Sequence, residues 1–513
     1  MRPCAEVQSP LVRKVLVANR GEIAVRIIRA AREAGLATVA VYADCDRVAR
    51  HVRMADQAWP LDGNTPAESY LRIDKLLQIA RRSGADAVHP GYGFLAENAS
   101  FASAVAESGL TFIGPTAAAI RLMGSKTAAR QAAVACGVPV VPGTPSPIPA
   151  EAPDRDVLLE AERIGYPLML KAVAGGGGKG MRLVTEPSAL SGALRAARSE
   201  ATSAFGDGAV YVERRLARPR HVEIQLLGDL SGTVVPFVER ECSVQRRHQK
   251  VLEESPSPVV DPTLRAEIAE AARRVAASVG YTNAGTIEFL LDEDGRFYFL
   301  EMNTRLQVEH PVTEAVTGVD LVQWQFRLAA GEPLTLDAAA VLQPRGHAIE
   351  ARVYAEDPDQ GFLPSPGRIR HLRPPSGPGV RDDGGYEALG DVPIYYDSLV
   401  SKVITWGETR DHAIRRMRRA LAEYELTGIQ TTLPFFRWLL EEPDFLAGRV
   451  DTTFLDRTLA TRNGEPFAPP GGAVEDLVAI AAALHVSQLA ADRSRSAATS
   501  SAWTHCARLE ALR

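Results

Sequence analysis

Residues 297–311 hold the side chains most able to do chemistry. The run Phe299-Leu300-Glu301-Met302-Asn303-Thr304-Arg305 continues as Leu306-Gln307-Val308-Glu309-His310-Pro311, shortly after Thr286-Ile287-Glu288-Phe289. Alternate residues of an extended strand share a face, so Glu301, Asn303 and Arg305 project the same way, spaced about 7 Å apart at ~3.3 Å per residue. Glu288 falls on the preceding strand, and Asp292-Glu293-Asp294-Gly295 supplies the turn between the two. Two carboxylates and an amide oxygen on neighbouring strands suit a hard cation. Mg²⁺ takes one or two carboxylates and fills its shell with phosphate and water. Arg305, two residues on, can meet an anionic substrate. Arg305 and Glu309 stand four residues apart and admit two readings: a structural salt bridge, or a carboxylate poised as general base beside a bound oxyacid.

Lysine usage points to the same chemistry. Of 58 Lys plus Arg only seven are lysines: Lys14, Lys75, Lys126, Lys171, Lys179, Lys250 and Lys402. A GC-rich genome explains the bias. A lysine that persists against it is a candidate for the compact ammonium contact that a guanidinium cannot make. Four of the seven fall in runs that resemble ligand sites.

Ala174-Gly175-Gly176-Gly177-Gly178-Lys179-Gly180 follows the strand Leu168-Met169-Leu170-Lys171. Glycines let backbone N–H groups approach an anion closely. The spacing is not that of a Walker A loop. A flexible surface loop is one reading. Lys171 before it and a strand at 181–185 after it favour a mobile phosphate lid. Glu213-Arg214-Arg215-Leu216 ends another strand and suits either an adenine-contacting hinge or an ordinary strand end. His221 could bond a ribose hydroxyl or be structural. Ser243-Val244-Gln245-Arg246-Arg247-His248-Gln249-Lys250 is dense in donors, and a solvated loop is the plain alternative.

The elements that must position these residues begin with alternating strand and helix. Lys14 to Ala18 reads as a buried parallel strand, 22–33 as an amphipathic helix stopped at Gly35, and Thr38 to Tyr42 as the next strand. Helices near 66–83 and 98–108 and strands near 86–88 and 111–113 complete an open α/β sheet. Asn19-Arg20-Gly21-Glu22 lacks the glycine spacing of a dinucleotide site, so NAD binding is not expected. Residues 142–156 read as a linker. A basic helix at 410–425 reads as a solvated face. Beyond 460 a helix at 474–491 and a Ser/Ala/Arg segment are expected.

The chain has 513 residues, 46% hydrophobic and 24% charged, and suits two to four globular domains. A net charge of −5 argues against a general nucleic-acid binder. Five scattered cysteines without metal-type spacing fit a reducing, cytoplasmic compartment. No apolar run approaches the ~20 residues needed to span a bilayer, so no membrane partner is expected.

In this order, several runs resemble the biotin carboxylases of the ATP-grasp superfamily: Ala18-Asn19-Arg20-Gly21-Glu22-Ile23-Ala24, His89-Pro90-Gly91-Tyr92-Gly93-Phe94-Leu95-Ala96-Glu97-Asn98, Phe112-Ile113-Gly114-Pro115 and Arg121-Leu122-Met123-Gly124-Ser125-Lys126. The glycine lid, Arg246-Arg247-His248-Gln249-Lys250 and Glu301 through Pro311 add to them. The likeness runs from about Val12 to about Leu459. It implies an α/β ATP-grasp architecture with an N-terminal Rossmann-like domain (1–128), an ATP-grasp domain (129–345) whose lid spans about 142–216, a C-terminal α+β domain (346–459) and an extension (460–513).

The resemblance also implies roles. Lys126 and Lys171 would be phosphate lysines, Gly177 and Gly178 lid glycines, and Glu213, Arg214, Arg215 and Leu216 the adenine hinge. His221 and His248 would be further nucleotide contacts. Glu288, Glu301 and Asn303 would hold Mg²⁺ or Mn²⁺. Lys250, Arg305 and Val308 would line the bicarbonate pocket, Glu309 would deprotonate bicarbonate, and Arg352 would hold the biotin enolate. ATP and bicarbonate would be substrates, with a homodimer as the expected assembly. Ala174 departs from the family's longer glycine run, and Arg214 stands where Lys is common.

Biotin is carried on lysine, and no lysine follows Lys402. Residues 403–513 are therefore not expected to hold biotin, and no Met-Lys pair occurs anywhere. A separate biotin carboxyl carrier protein and separate carboxyltransferase subunits are expected, as in an acetyl-, propionyl- or other acyl-CoA carboxylase. The end of the chain would be a partner-docking helix or a mobile tail. Two rival functions are another ATP-grasp carboxylate ligase and a non-catalytic nucleotide-binding scaffold.

Overall fold

Val15, Leu16 and Val17 are buried on both faces of their strand, as a central parallel strand requires. In the computed structural model, which describes residues 12–173, 181–467 and 477–490 together with 507 and 511, this strand is β1 (Lys14–Val17). β2 (Ala37–Tyr42), β3 (Gln57–Pro60), β4 (Ala87–His89) and β5 (Thr111–Phe112) join it in the parallel order β3-β2-β1-β4-β5. Helix α1 (Gly21–Glu33) buries Ile23, Ile27 and Ile28 at helical spacing and ends where Gly35 takes a left-handed φ of 72°. The amide of Asn19 donates to the carbonyls of Pro90 and Tyr92, 2.7 Å each. Gly91 lies under that amide at φ 65°, where an added Cβ would come within 2.9 Å of Asn19 Nδ2. Asn19 and Gly91 thus need one another. The expected open sheet is present, with the edge strand β3 in addition.

β6 (Leu168–Ala172), β7 (Met181–Val184) and β8 (Val210–Arg214) form a small antiparallel sheet in the order β7-β6-β8. Helices Asp154–Ile164 and Pro187–Phe205 close its apolar face over Val157, Leu168, Leu170, Leu194 and Val212. The expected linker therefore ends in a helix. Gly143 and Ile148, within it, bridge to Glu213 and Val210. The lid glycines Gly177 and Gly178 lie outside the described residues.

The largest sheet carries the site. β9 (Arg220–Gly228), β10 (Val234–Pro236), β11 (Arg240–Arg246), β12 (Gln249–Ser255), β13 (Asn283–Leu291), β14 (Phe297–Asn303) and β15 (His347–Tyr354) continue into strands Leu399–Gly407 and Val380–Gly384. The order is β14-β13-β9-β11-β12-β15, then those two strands, with β10 on β9. The sheet runs unbroken across residue 345, since Leu252 to Ser255 pair with Ala351 to Ala348.

The basic helix, Arg410–Glu423, differs from expectation. Arg410 grips buried Glu254 at 2.7 Å, Arg416 donates to the Trp406 carbonyl, and Arg418 donates to the Leu440 carbonyl at 2.6 Å. These arginines anchor the helix to its neighbours; Arg415 is the one that faces solvent. The chain forms two compact units, 1–463 and 464–513, and in the second residues 477–490 are helical. Among the described residues no helix is long and apolar enough to cross a membrane.

Candidate active site

Lys250 is the hub. Its ammonium donates to Glu223 Oε2 at 2.5 Å, Glu309 Oε1 at 2.6 Å and Glu288 Oε1 at 2.8 Å. Burial favours the neutral amine, but these three carboxylates outweigh it and hold the pKa well above the usual lysine value. Behind Lys250 lies Arg240, fully buried, which donates to Glu223 Oε1 at 2.5 Å, Gln225, Thr286, Thr313 and Gln307. All five donor positions of a guanidinium suit such enclosure.

Two interruptions of the sheet ladder aim these residues. Between β11 and β12 the pairs Val244↔Leu252 and Gln245↔Lys250 leave Val251 unmatched. Between β13 and β14 the pairs Glu288↔Glu301 and Phe289↔Phe299 leave Leu300 unmatched. A bulge turns the side chain beside it, and here the turned residues are Lys250 and Glu301.

The residues expected to hold a metal lie on the neighbouring strands β13 and β14. Glu288 and Glu301 stand directly opposite one another across the strands, and Asn303 Nδ2 donates to Glu288 Oε1 at 2.8 Å. Burial would raise the Glu288 carboxyl, yet Lys250 and His221 hold it well below the carboxylate range. Glu301, on the edge strand, is pushed upward by desolvation and then by the Glu288 charge. Facing like charges destabilise a strand pair, and a divalent cation between these oxygens would relieve that. The all-oxygen donor set fits Mg²⁺ or Mn²⁺. The tighter cluster His221, Glu223 and Glu288 suits a metal less well, because the Lys250 ammonium already binds both carboxylates.

Glu309 joins the hub to Arg352, whose NH2 lies 2.9 Å from Glu309 Oε2 and also contacts Glu253. Burial would raise Glu309, but Lys250, Arg352 and Arg240 hold it well below the carboxylate range. Arg305 is fixed from the N-terminal sheet region: its Nε donates to Glu97 Oε2 at 2.8 Å and its NH2 to Asn303 Oδ1 at 3.0 Å. The Val308 carbonyl accepts from fully buried Lys402 at 2.8 Å, and Lys402 pairs with Glu22 at 3.2 Å.

The expected nucleotide residues divide. Lys126 opens helix Lys126–Ala135, whose N-terminal dipole favours anions. Burial lowers its pKa against the pull of Glu301, with Lys171 adding to the fall. Lys171 donates to Glu213 Oε2 at 2.5 Å. The backbone N–H groups of Arg214 and Arg215 are given to Pro142 and Pro167, and Leu216 packs with Val141 and Tyr298. His221 sits beneath Glu288, its Nε2 3.1 Å from Oε2 and its Nδ1 2.8 Å from Gln245. His248 stands apart and exposed, in a two-residue hairpin turn with Arg247, both at positive φ. Glu223, Arg240, Gln245 and Gln307 were not singled out from the sequence; burial of paired charge gives no periodic signal there.

An approximately 380 Å³ cavity opens beside Lys250, with walls including Val251, Pro364, Val392 and Ile394. A larger one of about 490 Å³ lies elsewhere, and its Arg218, Arg449 and Arg457 are each already paired with a carboxylate.

Comparison with known proteins fits this geometry. The N-terminal domain of biotin carboxylase matches residues 11–120, the ATP-binding domain of the carbamoyl-phosphate synthase L chain matches 125–337, and the C-terminal domain of biotin carboxylase matches 350–457. A biotin carboxylase from Nostoc sp. is 52% identical over 442 residues, 86% of this chain and 98% of that one. The chain belongs to the biotin carboxylase family. Among solved structures, a biotin carboxylase from Campylobacter jejuni bound to an ATP analogue shares 43% identity with a TM-score of 0.83, covering 87% of this chain and 99% of that one. The biotin carboxylase domain of 2-oxoglutarate carboxylase from Hydrogenobacter thermophilus, a dimer with MgADP, ADP and bicarbonate, has the same TM-score and identity over 89% of this chain and 99% of that one. The expected fold class is therefore that of the family.

Proposed function

We propose that this chain carboxylates biotin with ATP and bicarbonate, the biotin being borne by a separate carrier protein, as the first half-reaction of an acyl-CoA carboxylase. Family membership supports the activity. The observation that carries the assignment to residues is the Lys250 ammonium shared by Glu223, Glu288 and Glu309, with Arg352 on the far oxygen of Glu309.

Glu309 is ionised and therefore free to accept a proton, but Lys250 and Arg352 hold its basicity down. An anionic bicarbonate bound against Lys250, Arg305 and Val308 competes for the same donors. Each donor it draws away raises the proton affinity of Glu309, so substrate binding itself prepares the base. Glu309 then takes the bicarbonate proton, and the oxyanion attacks the γ-phosphorus of ATP to give carboxyphosphate and ADP. Carboxyphosphate breaks to CO₂ and phosphate. The ureido nitrogen of biotin gives its proton to the released phosphate and captures CO₂, with Arg352 holding the negative oxygen.

Mg²⁺ or Mn²⁺, held by Glu288, Glu301 and Asn303, would neutralise charge spreading over the phosphates. Lys126, Lys171 and the lid glycines Gly177 and Gly178 serve the phosphates in this reading. Glu213 to Leu216, His221 and His248 serve the nucleoside. The cavity beside Lys250 has the apolar walls that a neutral bicyclic ring prefers. The boundaries at 128, 345 and 459 follow from the same reading. Separate carboxyltransferase subunits and a homodimer complete the assembly. The described cysteines, Cys45, Cys136 and Cys242, are free, which favours a reducing compartment.

The test is ADP release by the purified chain with Mg·ATP and bicarbonate, with and without free biotin. Release that rises with biotin is expected. Release that ignores biotin would favour a different ATP-grasp ligase, and nucleotide binding without turnover would favour a scaffold.

A further inference from the structure

A second pair of acids lies beside Arg352, unused by the mechanism above. Glu253 and Glu350 face one another directly across β12 and β15, and both are fully buried. One cation serves the first of them: Arg352 contacts Glu253 Oε1 through the same NH2 that lies 2.9 Å from Glu309 Oε2. Lys402 bears on Glu350, but its ammonium is committed to Glu22 and the Val308 carbonyl.

We propose that Glu253 is a positioning residue for Arg352, with Glu350 carrying the proton that the pair keeps. This rests on the role given above to Arg352. Glu309 becomes neutral when it takes the bicarbonate proton, and its hold on the guanidinium weakens at that moment. Glu253 is then the anion left on Arg352 while negative charge develops on the biotin oxygen. Too strong an anion there would compete with that oxygen. Two buried carboxylates placed face to face cannot both ionise without a large free-energy cost, so the pair keeps a proton and the competition is moderated. The Nε of Arg352 is buried and has no hydrogen-bond partner among the described residues, so one donor of the guanidinium is in reserve.

The groups facing Glu253 are Arg352, Glu350 and Tyr354 on β15, Glu309 after β14, Cys242 on β11 and Lys250 on its own strand. Burial is the main cause that lifts the Glu253 carboxyl to about 7, against the pull of Arg352 and with help from Glu309. Carboxylation should therefore show a pH limb near 7, faster on the alkaline side. Glu350 is held well above the carboxylate range by burial and by the Glu253 charge, so it carries the pair's proton while Glu253 titrates.

The experiment uses the full chain with free biotin, and compares N-carboxybiotin formation with biotin-independent ATP cleavage across pH. In Glu253→Gln the ratio of the two rates is expected to fall about tenfold and the limb to vanish. Glu253→Asp should retain the limb, and Glu350→Gln, neutral like the protonated acid it replaces, should leave it in place. An unchanged ratio and limb in Glu253→Gln would overturn the proposal. So would an equal loss of both rates with the limb intact. If Glu253→Gln does not fold, a carboxylation-to-cleavage ratio that shows no limb near pH 7 in the unsubstituted chain overturns it. Arg352→Lys separates the layers: normal carboxylation there refutes the role of Arg352 itself. Impaired carboxylation there, with a wild-type Glu253→Gln, refutes the present inference alone.

Discussion

The large mixed sheet and the small lid sheet solve opposite problems with the same backbone pattern. The large sheet buries charge: Glu223, Arg240, Glu253 and Glu350 are fully enclosed, and Glu288, Glu309, Lys250 and Arg352 nearly so. The small sheet buries Leu168, Leu170 and Val212 with Val157 of its covering helix, and its one described lysine, Lys171, donates to Glu213 on the neighbouring strand. Buried ion networks are expensive to desolvate and seldom stabilise a fold relative to apolar packing. Their presence in one sheet and not the other marks where donors must be fixed before substrate arrives. The lid needs few charges, and those it has remain partly exposed and able to change partner.

The comparison breaks most readily at Lys250. Lys250→Met leaves three carboxylates without their shared cation. Denaturant unfolding should show a loss of about 3–5 kcal/mol, and carboxylation should fall below detection. A stable, active variant would remove the hub from the account. Glu309→Gln keeps the shape and removes the base, and a rate loss of about 10²–10⁴ is expected with the ATP KM little changed.

Acid should act on the large sheet next. Burial would raise Glu254, but His347 and Arg410 bring it to about 2. Its folded pKa lies below its unfolded value near 4.5, so its contribution is complete above about pH 4.5 and is lost as pH falls toward 2. Over that window stability should drop by about 3 kcal/mol on its account. Glu254→Gln should flatten that part of the stability curve.

The smallest effect belongs to the lid. The Lys171 side chain is 27% exposed beside Glu213. Glu213→Gln should cost no more than about 1 kcal/mol of stability, and alter ATP KM by a few-fold with little change in kcat. A collapse of the fold would erase the distinction between the two sheets.

Much of this was legible in the sequence, and the limits have physical reasons. β1 and α1 announced themselves through an apolar run and a 3.6-residue stripe ending at Gly35. The alternation placed Glu301 and Asn303 on β14, but Arg305, expected to continue it, lies beyond the strand's end at Asn303. Glu223 and Arg240 were missed because a charge buried by an opposite charge on the neighbouring strand leaves no periodicity. The unmatched residues Val251 and Leu300, beside Lys250 and Glu301, arise from strand pairing and have no local signature. The arginines of helix Arg410–Glu423 read as solvated by composition. Their long stems reach carbonyls and Glu254 on other elements, which only tertiary packing decides.

The central claim is that a divalent cation held between Glu288 and Glu301 lets ATP activate bicarbonate for transfer to biotin. Its most direct test is incorporation of labelled bicarbonate into biotin by the purified chain, compared with a Glu288→Gln/Glu301→Gln variant that retains a cooperative unfolding transition. The account predicts Mg·ATP-dependent labelling in the first and none in the second. Labelling of the double variant at the unmodified rate would contradict it.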